Sequence, residues 1–377
     1  MEKGSRALKY VQINSFYNGS TGTIMLNLHK ELLSQGVDSY VFWGRRHKTL
    51  SDRECCIASP AGVALHGGRV RLTDRMGFYS RRDTARLLRR LDEIDPDIVH
   101  LHNIHGYYIN VEMLFCWLKS HKCKVRWTLH DCWPFTGHCA YFTYVGCNQW
   151  RTECGKRQKC PQLDTYPSTL NTSNCVKNYR DKKRIFTSIP TERMTLITPS
   201  KWLKDLVEKS FLGAYPVEVI HNTVDTTVFN PSPSDFRSKY GIEGRFMILG
   251  VASPWTERKG LSQFIRLWEE IDSKSFAVVI VGLSKKQIEA LPDGLLGLPR
   301  TSSAEELAKI YSAADVFFNP TLEDNYPTVN LEAEACGVPV VTYDTGGCSE
   351  TIVLERSVVV NGFDEAVEAI QNLMLEK

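Results

Sequence analysis

The sequence predicts an α/β protein of two doubly wound domains in tandem, each built on a parallel sheet. Three observations predict it. Short apolar, β-branched runs alternate with stretches of helical periodicity, as strands joined by crossover helices do. The pattern pauses at the turn-rich Pro231-Ser232-Pro233-Ser234 and then restarts. The chain has 377 residues, room for two or three cores at roughly 150 residues per domain.

The elements follow in order. Residues 10–13 read as the first strand, and the loop Asn18-Gly19-Ser20-Thr21-Gly22-Thr23 leads to a helix over 24–34, stopped by Gly36. Further strands fall at 39–43, 97–100, 124–129, 195–198 and 218–220. After the linker come strands at 246–251, 276–281, 316–318 and 338–343, with helices at 261–271, 304–314, from about Thr328, and at 364–375. The expected domains are 1–228, with a Cys-rich insertion at about 132–175, and 229–377. Two such domains set the carboxyl ends of two sheets around a central cleft, where open α/β sheets bind ligands.

Composition excludes several classes. Hydrophobic residues are 42% and charged residues 24%, which is ordinary for a globular chain. A net charge of +3 is too mild to announce nucleic acid. No apolar run approaches the roughly 18 residues that span a bilayer, and the first residues lack a signal-type apolar core, so a cytoplasmic protein is expected. In that compartment the 12 Cys read as free thiols or metal ligands before disulfides.

The sharpest signal lies in the second half. In Thr321-Leu322-Glu323-Asp324-Asn325-Tyr326-Pro327-Thr328-Val329-Asn330-Leu331-Glu332, a strand runs into an acidic loop and Pro327 opens a helix. The amides of Thr328 and Val329 then offer an anion site, with a phosphate as the natural guest. Glu332, one turn in, is placed to bond a pair of sugar hydroxyls. Arg258 and Lys259, ahead of Gly260, sit at another helix entrance and would help neutralise a diphosphate. At 4 Å and an effective dielectric near 20, each charge pair is worth roughly 4 kcal/mol before desolvation. Each piece alone also fits a bland surface turn.

Together these pieces resemble the donor half of the family GT4 retaining glycosyltransferases, which have the GT-B fold of two Rossmann-like domains. The acidic loop resembles the family's Glu-x7-Glu, with Asp324 at the first acid and Glu323 one step earlier. Ala335-Cys336-Gly337-Val338-Pro339-Val340-Val341 is similar to Ala-x-Gly-x-Pro-Val-Val, and Gly346-Gly347-Cys348-Ser349-Glu350 to Gly-Gly-x-x-Glu. The helix Glu305 to Asp315 also fits. Where the family often has an Arg after the strand's Gly, this chain has Pro254 or Trp255, and Arg258 stands in.

The resemblance extends to the first half. It places His130, in Leu129-His130-Asp131, beside the transferred sugar, and the Gly19 and Gly22 loop near the donor phosphates. His100 and His102 share one face of a strand and read as acceptor-side lining. The resemblance implies that Arg258 and Lys259 stabilise the leaving diphosphate, that Asp324 or Glu323 contacts the sugar, and that Glu332 holds the ribose. Asn325, Tyr326, Thr328 and Val329 complete the donor site. It implies no cofactor for catalysis.

Two features stand apart. Cys139, Cys147, Cys154 and Cys160 are spaced Cys-x7-Cys-x6-Cys-x5-Cys in a segment expected to have little core of its own. Four thiolates suit a structural zinc, although tight Cys-x2-Cys pairs are missing, and free thiols or disulfides remain open. The stretch between Arg69 and Arg90 is Arg-rich, and residues 80–91 read as an amphipathic helix with Leu87, Leu88 and Leu91. It suits anionic headgroups at the inner face of a membrane or, equally, a solvated helix face.

The resemblance implies an enzyme that moves a hexose from a UDP- or GDP-type nucleotide-diphosphate sugar to a saccharide or lipid-linked acceptor, with retention, in surface polysaccharide biosynthesis. Two alternatives stay open from sequence: a GT-B nucleotide-sugar epimerase, and a non-catalytic nucleotide-sugar-binding protein.

Overall fold

A computed structural model describes residues 6–45, 47–170 and 173–377. The chain divides into two compact units, one ending at His221 and the other beginning at Asn222. The division falls ahead of the 228/229 boundary expected from sequence, because Val224 and Val228 pack against the core of the second unit.

The first unit holds β1 (Lys9–Phe16), α1 (Ser20–Ser34), β2 (Asp38–Arg45), β3 (Glu54–Cys56), α2 (Pro60–Thr73) and α3 (Arg81–Ile94). There follow β4 (Ile98–Leu101), α4 (Val111–Ser120), β5 (Lys124–Thr128), α5 (Cys175–Phe186), β6 (Met194–Thr198), α6 (Lys201–Glu208) and β7 (Val217–Val219). All strand pairs are parallel, in the order β3-β2-β1-β4-β5-β6-β7. The chain leaves β1 toward β2, then returns to place β4 on the other side. The topological switch point therefore lies between β1 and β4, where ligand sites of such sheets form.

Among the features not read from sequence are β3, α2 and the loop between β5 and α5. Strand β3 is only Glu54–Cys56, too short for periodicity to show. Helix α2 has little amphipathic pattern, and its start is set by Ser59, whose side chain accepts from the Gly62 amide. The segment between β5 and α5 was expected to have little core. Instead it buries Trp133, Phe135, Phe142 and Trp150 to 2% exposure or less, with two short 3-10 turns among its described residues. The rings of Phe135, Phe142 and Trp150 meet edge-on or tilted with centroids 5.2–6.3 Å apart, so aromatic packing organises this loop.

The Arg-rich helix behaves as an ordinary core helix. Leu87, Leu91 and Ile94 of α3 are buried, so its apolar stripe faces the protein interior. Arg81, Arg82, Arg86 and Arg89 remain exposed.

The second unit holds α7 (Phe236–Lys239), β8 (Phe246–Val251), α8 (Leu261–Glu270), β9 (Phe276–Val281), α9 (Lys285–Glu289), β10 (Leu296–Leu298) and α10 (Ala304–Ala313). It closes with β11 (Val316–Asn319), α11 (Thr328–Ala335), β12 (Val340–Tyr343), β13 (Val358–Val360) and α12 (Phe363–Leu375). The sheet is parallel throughout, in the order β10-β9-β8-β11-β12-β13.

Alternation along the strands builds two cores. Ile248, Val278, Val316 and Val341 face Phe264 and Leu267 of α8 and Ile370 and Leu373 of α12. Their neighbours Leu249, Val279, Phe317 and Val340 face Tyr311 of α10 and Ala333 of α11. Both faces are covered, which explains why β8 and β9 read as unbroken apolar runs. The switch point here lies between β8 and β11.

Candidate functional site

The loops after β8 and β11, at that switch point, carry most of the expected site. Gly250, next to last in β8, lets the strand pack closely on α8, since a Cβ there would lie 2.2 Å from the Phe264 ring. The chain then turns through Trp255, whose indole N–H donates to the Val281 carbonyl at 2.9 Å. Residues Glu257–Lys259 form a 3-10 turn, and Gly260 follows at φ 75°. Gly260 is required twice over: its φ is left-handed, and a Cβ would come 2.3 Å from the Pro320 carbonyl oxygen.

The two loops are tied together. The Leu322 amide donates to the Arg258 carbonyl at 2.8 Å, and the Thr321 hydroxyl donates to the same oxygen at 3.2 Å. The Arg258 guanidinium bonds the Glu323 carbonyl, and the Lys259 ammonium pairs with Asp324 Oδ2. Arg258 Nη1 stands 3.9 Å from that same oxygen. The cations expected to meet a diphosphate therefore fold onto the acidic loop. Burial alone would raise the Asp324 carboxyl, but Lys259 and Arg258 outweigh it and hold Asp324 below the usual range.

The two candidate acids are not equivalent. Glu323 is fully buried, whereas the Asp324 side chain keeps 14% exposure beside the two cations. Asp324 is thus the better placed for a ligand, and the position matches the first acid of the family pattern. Asn325 and Tyr326 are also buried. Their role is to shape the loop: the Asn325 amide donates to Asp324 Oδ1 at 2.9 Å, and the Tyr326 carbonyl accepts from Asn222 Nδ2 at 3.3 Å.

Behind Asp324 stands the loop after β12. The Gly347 amide donates to the Asp324 carbonyl at 3.0 Å. Gly346 has φ 62°, and a Cβ there would fall 1.8 Å from the same carbonyl oxygen. Thr345 donates to the Thr321 carbonyl at 2.6 Å. Gly346 was visible in the sequence only as part of a resemblance; its support of Asp324 emerges from the backbone.

Helix α11 begins at Thr328 with Pro327 as its cap residue, and no side chain caps it. By contrast, Ser200, Ser284 and Ser303 cap α6, α9 and α10 with their side chains. The first amides of α11, Thr328 and Val329, keep the anion-binding character of an open helix start. Glu332 is half-buried and accepts from the Tyr311 hydroxyl at 3.1 Å. Desolvation pushes its carboxyl up to about 7, with the Tyr311 and Thr328 hydrogen bonds opposing the rise. Tyr311 is a site residue that the sequence gave no reason to single out, since it reads as a core position of α10.

The first unit has its own cluster at the β1–β4 switch point. Gly19 precedes α1 with φ 83°, and Gly22 lies in its first turn, where a Cβ would be 2.4 Å from the Tyr17 carbonyl oxygen. Asn14 ties the neighbouring loops, donating to the Phe16 carbonyl at 3.0 Å and accepting from the Asn103 amide at 3.3 Å.

His130 follows β5 and is half-buried; desolvation drives its pKa down to about 4. Its Nε2 lies 3.2 Å from His102 Nδ1, and His102 Nε2 lies 3.1 Å from Gln12 Oε1. Gln12 Nε2 donates to the Met25 carbonyl at 3.2 Å, which fixes the amide's orientation. The remaining protons follow by elimination. His102, with its pKa also well below the usual value through burial, donates from Nε2 and accepts at Nδ1. His130 is then neutral and donates from Nε2.

His100 and His102 do not line an open surface. They are 4% and 2% exposed, stacked at 4.3 Å, and His100 is bonded to Tyr10 and Thr128. Strand alternation did place them on one face, but that face is the inner one. Asp131 is oriented by His105 at 2.9 Å and by the Trp133 amide at 3.0 Å.

The cysteines of the loop after β5 are gathered but not as the spacing alone suggests. Cys139, Cys154 and Cys160 are buried and Cys147 is half-buried, with Gln149 Nε2 donating to its sulfur at 3.8 Å. Cys175, which lies outside the expected tetrad, is buried against the same loop, where a Cβ at Gly155 would lie 2.8 Å from its side chain. No cysteine pair is bonded as a disulfide among the described residues.

Comparisons with known proteins bear on the family and the fold. The profile described as Glycosyltransferase Family 4 matches residues 21–228, and that described as Glycosyl transferases group 1 matches residues 245–376. WcaC of Escherichia coli (strain K12), named as a colanic acid biosynthesis glycosyl transferase, is 25% identical over 360 residues, covering 90% of this chain and 83% of that protein. Sucrose-phosphate synthase from Thermosynechococcus elongatus superposes with a TM-score of 0.69 at 15% identity, covering 98% of this chain and 90% of that one. Anabaena HepE, solved in complex with UDP-glucose, superposes at 0.65 and 14% identity with the same coverage. With two Rossmann-like units and a family match over more than half its length, the chain belongs to Glycosyltransferase Family 4 and is a glycosyltransferase.

Proposed function

We propose that this enzyme transfers a hexose from a UDP- or GDP-sugar to a saccharide or lipid-linked acceptor, with retention, in surface polysaccharide biosynthesis. The observation that carries the reading is the β8–β11 switch point: Arg258, Lys259 and Asp324 packed together, in the unit whose α11 start is uncapped. That set suits a sugar joined to a diphosphate. The setting in polysaccharide assembly is supported by the likeness to WcaC, and a uridine donor by the likeness to HepE.

In the proposed reaction the bond between sugar C1 and the β-phosphate oxygen breaks, and its electron pair goes to the phosphate. The acceptor hydroxyl oxygen bonds C1 from the same face, and its proton passes to the leaving phosphate. Arg258, Lys259 and the amides of Thr328 and Val329 stabilise the growing charge. Asp324 contacts the sugar hydroxyls and Glu332 holds the ribose, while His130, whose Nε2–H is given to His102, is left with Nδ1 as an acceptor for a sugar hydroxyl. The protein's own cations supply the charge, so the reaction calls on no cofactor.

No helix among the described residues is long and apolar enough to cross a membrane. The proposal places the enzyme in the cytoplasm, with exposed Arg81, Arg82, Arg86 and Arg89 meeting the inner membrane face that presents a lipid-linked acceptor. The test is product analysis by NMR with a matched donor and acceptor. A product with the donor's anomeric configuration supports retention; the opposite configuration removes it.

A further inference from the structure

The structure assigns a membrane-docking face to α2: an outward apolar stripe of Ala61, Leu65, Gly68 and Leu72, flanked by arginines, that enters the interface of an anionic lipid bilayer. The inference deepens the proposed function and rests on its reading that a lipid-linked acceptor is presented at a membrane. It moves the principal contact from the arginines of α3 to the apolar face of α2.

Helix α2 turns apolar residues both inward and outward. On its inner side His66 and Val70 are buried and Val63 packs against the core of the first unit. The opposite side of an ordinary surface helix is polar. Here Ala61, Leu65, Gly68 and Leu72 follow at spacings of four, three and four, so they share one stripe, and all four are exposed. Leu65 is 58% and Leu72 62% exposed. Two apolar sides explain why this helix shows so little amphipathic pattern.

Leu170, 61% exposed, joins the patch. Its amide donates to the Arg71 carbonyl at 2.8 Å, which brings it to the end of α2 that carries Leu72. Exposed apolar side chains scattered singly need no explanation, whereas three leucines gathered at one helix mark an interaction surface.

The charges around the stripe select its partner. From Pro60 to Leu91 every exposed charged residue is an arginine: Arg69, Arg71, Arg81, Arg82, Arg86 and Arg89. The two acids of that stretch, Asp74 and Asp83, are 1% and 5% exposed. Helical rotation sets Arg69 and Arg71 on opposite flanks of the stripe. Helix α3 starts beside α2, since His66 Nδ1 lies 2.7 Å from Ser80 Oγ and a Cβ at Gly62 would lie 2.6 Å from Asp83 Oδ2. The arginines at the start of α3 therefore extend the same basic surface. Leucines rimmed by guanidinium groups, with the acids withdrawn, suit the boundary between acyl chains and anionic headgroups. A second copy packed through the same face about a two-fold axis would instead set arginine against arginine.

The position suits the substrate. Helix α2 packs against the loop after β4, with the His66 and Tyr107 ring centroids 5.8 Å apart. That loop leaves the carboxyl end of the first sheet, the end at which Gly19 and His130 also lie. A bilayer against α2 is next to that end, so a lipid-linked acceptor need not leave the membrane to reach it.

The test is flotation of the full chain with vesicles, read without donor or acceptor. Vesicles of equal parts phosphatidylcholine and phosphatidylglycerol are compared with phosphatidylcholine alone. Binding to the anionic vesicles is expected, weaker on the neutral ones and falling as salt rises. Leu65→Gln combined with Leu72→Gln should weaken it by about 10- to 100-fold, and Arg69→Gln or Arg71→Gln by about 5-fold each. Leu375→Gln, an exposed apolar position of the second unit, should bind as the parent does. Leu72→Trp should gain fluorescence quenching by brominated acyl chains over the parent, which a purely electrostatic contact would not give. Absence of binding to the anionic vesicles overturns the proposal. So does binding that the leucine pair leaves unchanged, and so does a dimer that the leucine pair dissociates. Vesicle binding through α2 by a chain that releases no nucleotide diphosphate supports this inference and counts against the proposed reaction alone.

Discussion

The Lys259 ammonium is ion-paired with the Asp324 carboxylate, and both lie in loops that meet at one sheet's switch point. The pair links two halves of the proposed chemistry, the group that meets the diphosphate and the group that meets the sugar. It holds the Asp324 carboxyl below the usual carboxylate range. Lys259→Ala should therefore lower kcat by roughly 100- to 1000-fold, the usual effect of removing one preorganised charge donor. Steady-state kinetics check it, with thermal unfolding run alongside to show that the variant is folded.

Gly346 offers a second test, away from any reacting atom. Gly346→Ala drives a methyl into the Asp324 carbonyl and strains a left-handed residue. A loss of about 1–3 kcal/mol in stability is expected, with Asp324 displaced and activity reduced. Denaturant unfolding and kcat measured on the same preparation check both parts. Gly362→Ala, where the added Cβ meets nothing within 4 Å, is the control.

Glu332 predicts a pH dependence. Its folded pKa, near 7, lies above its unfolded value, so ionising it disfavours the folded state. Its contribution to stability falls as pH rises from about 4.5 to 7, by about 3 kcal/mol at most, and Glu332→Gln should remove that slope. Ribose hydroxyls bonded to the carboxylate favour its ionised form. Nucleotide affinity should then rise through pH 7 in the parent and stay flat in Glu332→Gln, as titration calorimetry at pH 6 and pH 8 would show.

The Gln12–His102–His130 chain predicts a positioning effect. Gln12→Leu removes the acceptor that fixes the His102 proton, so His130 loses its assigned donor orientation. A hydrogen bond of this kind is worth about 1 kcal/mol, so kcat should fall about 5-fold with little change in donor KM. His102→Gln should move the acidic limb of the pH–rate profile, which a purely structural defect would not do. An unchanged profile together with a normal kcat would remove the chain from the mechanism.

Much of the fold was legible because buried parallel strands announce themselves as apolar runs: β8 and β9 stand out from sequence alone. The acidic loop was legible because a Pro at a helix start leaves a local signature. What stayed hidden was long-range. Tyr311 reaches Glu332 across 21 positions, and Gly347 reaches Asp324 through the backbone, so neither leaves a spacing pattern. His100 and His102 alternated as a strand face, but alternation does not say which face is buried. The cysteine spacing marked a cluster, but the Asp74 carboxylate that bonds His138 lies on a distant turn after α2 and leaves no local pattern.

The most direct measurement of the central claim is a donor screen. The protein is mixed with UDP-, GDP- and ADP-sugars, and nucleotide diphosphate release is followed with and without a lipid-linked saccharide extract. Release from one UDP- or GDP-hexose, raised by the extract and lost in Lys259→Ala, is the predicted result. Tight nucleotide binding without release from any donor, with the extract present, would contradict it.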